Sequence, residues 1–200
     1  MADLELTIPE GRFDGYIFDC DGTLIDSMPV HFRAWDESLR RLGNATPLSE
    51  ELFYSFGGIP TRRVARLFID HYKLDADSEE LFHLKEKLFL ENLATVELIE
   101  PVVAFARRVA RTHPVSVASG GPRDVVLRSL ELSGLSDLFP VVVTADDVVH
   151  GKPAPDMFLL AASKMGVPAT SCLVFEDAEP GVQAGLAAGM RVVRVRSRTP

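Results

Sequence analysis

Cysteine is scarce. The 200-residue chain carries two, Cys20 and Cys172, too few for a disulfide scaffold, and a reducing, cytoplasmic setting is expected. Long apolar runs are missing as well: no stretch approaches the roughly 18 to 20 residues that a membrane-spanning helix requires. The first residues, Met1 to Gly11, are acidic and mixed, unlike a secretory signal. Positive charge is in deficit, since 21 Lys and Arg stand against 29 Asp and Glu for a net −8. Phosphate backbones select for clustered Lys and Arg, so neither nucleic acid nor membrane is an expected partner. A small anionic ligand stays open, because it needs only a few local cations or a metal. No internal repeat and no Gly/Ser linker divides the chain. What remains is ordinary globular material, 46% hydrophobic and 25% charged, long enough for one medium domain or one domain carrying a small insert.

Short, continuously apolar runs recur at wide intervals: Tyr16–Phe18, Val115–Ala118, Val141–Val143, Cys172–Phe175 and Val192–Val195. Such runs fit strands of a parallel sheet covered on both faces. Helical stripes lie between them: Val102, Phe105, Ala106 and Val109; then Val126, Leu127 and Leu130; then Phe158, Leu159 and Ala162. A last helix over 180–190 opens at Pro180 and closes near Gly189. Strand–helix alternation predicts a doubly wound α/β domain. The first interval breaks the rhythm, because about ninety residues between the first and second strands read as helix throughout. Phe32, Trp35, Leu39 and Leu42 share one face, Val64, Leu67, Phe68 and His71 another, and Leu81, Leu84 and Leu88 a third. Residues 28–95 are therefore expected to form a helical insert above the carboxyl ends of the strands, where open α/β sheets place ligands. Residues 1–27 and 96–200 would form the core.

The chemistry collects at strand ends. Asp19-Cys20-Asp21-Gly22-Thr23 follows the first strand directly. Two carboxylates two residues apart point the same way if the chain stays extended, and a divalent cation relieves their repulsion; a polar Asp-Gly turn is the plain alternative. An EF-hand loop is excluded by spacing. Ser119-Gly120-Gly121 follows the second strand, just before a helix N-terminus at Pro122 or Arg123, and suits an anion. Gly151-Lys152-Pro153-Ala154-Pro155-Asp156 follows the third and holds a Lys between rigid prolines. Glu176-Asp177 ends the fourth with hard oxygen donors suited to Mg²⁺. Each has a bland reading alone, as a glycine turn, a surface Lys or an acidic first helical turn. Four at successive strand ends do not.

In this order the four motifs resemble the haloacid dehalogenase (HAD) superfamily over about residues 13–196, and the insert resembles that family's cap of the first type. His31-Phe32-Arg33-Ala34-Trp35, the Gly151–Asp156 segment and Phe175-Glu176-Asp177-Ala178 are most similar to its β-phosphoglucomutase-like branch, and within it to bacterial phosphatases of fructose 1-phosphate and 6-phosphogluconate. The resemblance implies a Rossmann-like core and a Mg²⁺-dependent phosphatase of small phosphorylated metabolites, working as a monomer. Asp19 would attack phosphorus and Asp21 would serve as general acid, then base. Mg²⁺ would sit between Asp19, the Asp21 backbone carbonyl, Asp177 and Glu176. Ser119 and Lys152 would bind phosphoryl oxygens, helped by the Thr23 and Gly120 backbone. His31 would sit beneath the site and hydrogen-bond Asp21 or its neighbourhood. The segment Gly57-Gly58-Ile59-Pro60-Thr61 resembles the cap's specificity loop, where Gly58 and Thr61 would meet substrate. In β-phosphoglucomutases an Arg just after that Gly grips a second phosphate, and Thr61 occupies the matching place here. That departure favours a monophosphate phosphatase over a mutase. Dehalogenases lack the second Asp, so Asp21 argues for phosphoryl transfer. A non-catalytic binding protein is disfavoured because no catalytic carboxylate is missing. Trp35 and Cys20 are expected in the core, and Lys85 and Lys87 are expected as solvated charges.

Overall fold

The computed structural model describes residues 6–57, 59–93 and 96–195. Five parallel strands, β1 (Gly15–Phe18), β2 (Val115–Ser119), β3 (Val141–Thr144), β4 (Cys172–Glu176) and β5 (Arg191–Arg194), form one sheet in the order β3-β2-β1-β4-β5. The chain winds outward from β1 through β2 to β3, then returns to the other side of β1 with β4. The topological switch thus falls at β1, where a crevice opens at the carboxyl ends. Register sets what meets there: Phe18 is level with both Val117 and Phe175, so Asp19 and Glu176 leave adjacent strands side by side.

Strand alternation feeds two cores. Tyr16, Phe18, Val115, Val117, Leu173 and Phe175 point to one face, with residues of α5 (Glu100–Val109) and α6 (Arg123–Leu132). Ile17, Ala118, Val143 and Val174 point to the other, under α7 (Asp156–Met165) and α8 (Glu179–Ala187). Two expected stripes are off by an edge. Leu127 and Leu159 are exposed, and the buried sets are Val125, Val126, Ser129 and Leu130 on α6 and Met157, Phe158, Ala161 and Ala162 on α7. Leu127 lies in a run of three apolar residues and Leu159 in a run of six, and the helical turn lets only part of each run face the sheet.

Between β1 and α5 come α1 (Met28–Arg41), α2 (Glu50–Ser55), α3 (Thr61–Tyr72) and α4 (Ser78–Asn92). They pack around their own cluster of Trp35, Leu39, Phe53, Val64, Phe68, Leu81 and Phe82. His71, placed on the α3 stripe by periodicity, is exposed. The chain enters and leaves this group through adjacent segments, where Ile25 bridges Leu98 and the Asp26 N–H donates to the Glu97 carbonyl at 2.8 Å. A further cluster, Val30, Ala34, Leu88, Phe89 and Leu93 with Val125 of α6, joins the helices to the sheet layer. Glycine marks the closest approach: a Cβ at Gly151 would stand 2.5 Å from Pro60 Cγ.

Candidate active site

β1 ends at Phe18, and the chain tightens at once. The N–H groups of Leu24 and Ile25 both donate to the Cys20 carbonyl, at 2.9 and 3.1 Å. Gly22 makes this turn possible at φ 81°, and a Cβ there would lie 2.3 Å from Asp177 Oδ2, so glycine is required by conformation and by space. Cys20 points into the core, leaving Asp19 and Asp21 on the cleft side but in different surroundings.

Asp19 is buried, and its Oδ1 accepts from Lys152 Nζ at 2.6 Å. The same ammonium donates to Glu176 Oε1 at 2.6 Å, and Glu176 Oε2 accepts the Ala178 N–H at 2.7 Å. Burial pushes Asp19 well above the usual carboxylate range; Lys152 opposes this, and Glu176 and Asp177 reinforce it. Burial alone would lower Lys152, but its two carboxylates outweigh that and raise it. Asp177 rises to about 7 through burial and the neighbouring Glu176 charge, while Thr23 Oγ1 donates to its Oδ1 at 3.2 Å. Oxygens of Asp19, Glu176 and Asp177 lie within 4.8 Å of one another. Crowded buried carboxylates under one ammonium fit a hard divalent cation. Glu176 spends both oxygens on Lys152 and the Ala178 amide, so Asp19 and Asp177 are the better-placed donors.

The Asp21 carboxylate is not in that cluster. Its Oδ1 accepts from Ser27 Oγ at 2.5 Å and from His31 Nε2 at 3.1 Å. Ser27 is the N-cap of α1 but gives the helix no side-chain bond; its hydroxyl is diverted to Asp21. Burial would raise Asp21, yet the charge and hydrogen bond of His31 and the Ser27 bond outweigh it and hold the group at about 2. His31 is lowered by burial and by Lys85. Near neutrality it therefore serves Asp21 as a hydrogen-bond donor more than as a charge. Its ring stacks on Phe89, 3.8 Å between centroids.

A cleft lies over these groups. Its floor holds Asp19, Asp21, Ser119, Gly120, Glu176 and Asp177, and its roof includes Trp35, Phe53, Thr61, Lys85 and Glu86. Ser119 Oγ accepts the Gly121 N–H at 3.2 Å. The Arg123 amide, at the start of α6, donates to Asp146 Oδ2 at 2.8 Å, so the anion-facing donors belong to the Ser119-Gly120-Gly121 turn rather than to the helix end. Thr23 is fully buried with its hydroxyl committed to Asp177. Lys152 lies beneath the floor rather than on it. Gly58 falls outside the described residues. Lys85 corrects the expectation of a solvated charge: it is 1% exposed, because α4 packs flat against α1. Ser27, Glu86, Phe89 and Gly181, against which Glu176 packs, were not read from the sequence.

A family model of haloacid dehalogenase-like hydrolases matches residues 13–189, and the chain belongs to that family. The fructose-1-phosphate phosphatase YqaB of Escherichia coli (strain K12) is 38% identical over 189 residues, 92% of this chain and 97% of that protein. Hexitol phosphatase A of the same organism is 33% identical over 187 residues, covering 93% and 84%. Among solved structures, a family IA, variant 3 HAD hydrolase of Entamoeba histolytica superposes with a TM-score of 0.81 at 27% identity, covering 94% of this chain and 86% of that one. The chain is a phosphoric monoester hydrolase.

Proposed function

We propose that this enzyme is a Mg²⁺-dependent phosphatase of small sugar or polyol monophosphates, acting through an aspartyl-phosphate on Asp19. One observation carries the reading: two carboxylates two residues apart have opposite settings, Asp19 against Lys152 and Asp21 against Ser27 and His31. One is placed to attack and the other to exchange a proton. Residues 28–95 would act as the cap that closes over them.

Asp19 attacks phosphorus as the ester P–O bond breaks, and Asp21 delivers a proton to the departing alkoxide. Asp21 then takes a proton from water, which attacks phosphorus and releases Asp19. Asp21 is ionised and so available for this second, basic role, but a group held at about 2 is a weak base until something raises it. The acid role requires the incoming phosphate's negative charge to raise it. Ser119 and Gly120 hold phosphoryl oxygens, with Lys152 beneath supplying fixed positive charge that needs no reorganisation. Asp19 and Asp177, with Glu176 beside them, would hold Mg²⁺, which when bound offsets the floor's charge and draws electron density from the phosphoryl group.

The roof favours a monophosphate over a mutase's bisphosphate. Arg62, next to Thr61, pairs with Glu79 and lies 4.0 Å over the Phe82 ring, and Lys85 is paired with Glu86. Among the described residues lining the cleft, no roof cation is left for a second phosphate.

The test is phosphate release from a panel of sugar and hexitol monophosphates, with and without Mg²⁺, by wild type and Asp19→Asn. Metal-dependent release is expected, lost by at least about a thousandfold in the variant with the native circular dichroism spectrum retained. Metal-independent release, or turnover retained in Asp19→Asn, would overturn the assignment; isomerisation without release would mark a mutase.

A further inference from the structure

The buried face of α4 follows a helical stripe, Leu81, Phe82, Lys85, Glu86, Leu88 and Phe89. Its middle two positions are charged. Lys85 is 1% exposed, and its ammonium lies 5.0 Å from the centre of the Phe89 ring and 5.5 Å from that of Trp35. It donates to Glu86 Oε1 at 3.1 Å. Glu86 is 6% exposed, and its second oxygen, Oε2, is buried with no hydrogen-bond partner among the described residues. Both residues line the same cleft as Asp19 and Asp21. A carboxylate oxygen sealed from water and unpartnered is costly to keep, and the ammonium beside it already satisfies the other oxygen. The cleft they share is lined on its cap side mainly by apolar residues, Met28, Trp35, Phe53, Phe56, Ile59 and Val64, with His31 and Thr61 as polar exceptions. One acceptor on an apolar wall is how a pocket orients a ligand.

We infer that Glu86 is a specificity-determining residue whose Oε2 accepts a hydroxyl from the substrate's tail, so that the cleft selects phosphate esters with a neutral polyol chain. This rests on the phosphatase reading and deepens it. With the phosphoryl group at Ser119 and Asp19, the rest of the molecule must extend along the roof, where Lys85 and Glu86 together carry no net charge. A hydroxyl donates to Oε2. A distal carboxylate or second phosphate has no proton to give and meets an acceptor of its own sign, while the one nearby cation is already engaged.

The experiment compares wild type, Glu86→Gln and Glu86→Ala, all with Mg²⁺, on four compounds: a hexitol phosphate, 6-phosphogluconate, fructose 1,6-bisphosphate and p-nitrophenyl phosphate. Gln leaves Lys85 an amide oxygen, so it guards against a folding failure in Ala. Relative to p-nitrophenyl phosphate, kcat/KM on the hexitol phosphate should fall by about tenfold in both variants, mostly through KM. Relative to the hexitol phosphate, the two doubly anionic compounds should gain by about tenfold in Glu86→Gln. Equal proportional changes on all four compounds, or none, would make the pair structural only and overturn the inference. Calorimetric binding of the hexitol phosphate and 6-phosphogluconate in an Asp19→Asn background poses the same question without turnover. If wild type releases phosphate from none of the four, the phosphatase reading fails. The binding comparison still decides Glu86: weaker hexitol phosphate binding in Glu86→Gln supports its role, and unchanged affinity refutes it.

Discussion

Replacing Gly181 by Ala sets two physical effects against each other with opposite signs. Gly181 lies in the first turn of α8, where Gly→Ala ordinarily stabilises a protein by about 0.4 to 1 kcal/mol through the unfolded chain's entropy. Here an added Cβ would fall 1.7 Å from Glu176 Oε1 and 2.0 Å from its Cδ. Atoms at rest sit about 3.5 Å apart or more, so the carboxylate or the helix must retreat by roughly 1.5 to 2 Å. The helix has little room on its sheet side: the next glycine facing the sheet, Gly185, would already put a Cβ 2.7 Å from Val192 Cγ2. Glu176 must move, and its 2.6 Å bond from Lys152 does not survive such a displacement. Removing one partner from a buried ion pair costs about 3 to 5 kcal/mol, a large share of the roughly 5 to 15 kcal/mol by which domains are stable. For a chain of this size that lowers the melting temperature by roughly 6 to 20 °C. Activity should fall with it, because Lys152 also braces Asp19. Thermal unfolding by circular dichroism, with phosphate release on the same samples, measures both. A Gly181→Ala protein that melts within about 2 °C of wild type, or above it, with full turnover would refute the account of Glu176 as a fixed brace.

Two further outcomes are expected. Asp177, raised to about 7 by burial and Glu176, binds protons more readily folded than unfolded, so metal-free stability should fall as pH rises from about 4 through 7, by on the order of 4 kcal/mol at most. Asp21, held at about 2, acts in the opposite sense but only below about pH 4. Urea unfolding in a chelator at pH 5 and pH 8 checks the slope, and stability that is higher at pH 8 would contradict it. Thr61→Arg should place a cation on a roof that has none to spare and raise kcat/KM for fructose 1,6-bisphosphate over p-nitrophenyl phosphate by about tenfold; an unchanged ratio would mean that position 61 does not reach the distal group.

What the sequence disclosed follows from how local the signals are. Asp19, Ser119 and Glu176-Asp177 stand at the ends of continuous apolar runs, and strand order brings such ends together whatever the loops do, whereas Lys152 lies eight residues beyond β3 and reaches the site through its loop. β1 to β4 lie where those runs lie, and β5 begins one residue earlier, at Arg191. Runs of three apolar residues, such as Val125-Val126-Leu127, do not say which edge faces the sheet. The roof was harder for a different reason. Lys85-Glu86-Lys87 reads as a solvated charge run, and only the packing of α4 on α1 buries the first two and leaves Lys87 exposed. Gly181 looks like a weakness in α8 until Glu176 is seen beneath it. Ser27 looks like an ordinary helix cap until its hydroxyl is found on Asp21.

The charge balance of the cleft explains why one short segment carries two carboxylates with such different fates. At the floor, Asp19, Glu176 and Asp177 face one ammonium, leaving two negative charges where a doubly negative phosphate has to bind. Burial, reinforced by those neighbouring charges, raises the proton affinities of Asp19 and Asp177. Protonating them would relieve the excess, and so would a divalent cation, which leaves Asp19 ionised. Asp21 escapes the conflict because it turns away from the cluster toward Ser27 and His31, and the charge and hydrogen bond of His31 together with the Ser27 bond hold it low. It therefore stays ionised without a metal and answers to the charge of whatever enters the cleft. The buried Lys85 adds to burial in opposing protonation of His31 beside Asp21, and it is paired with Glu86, so the two together add no net charge to the roof.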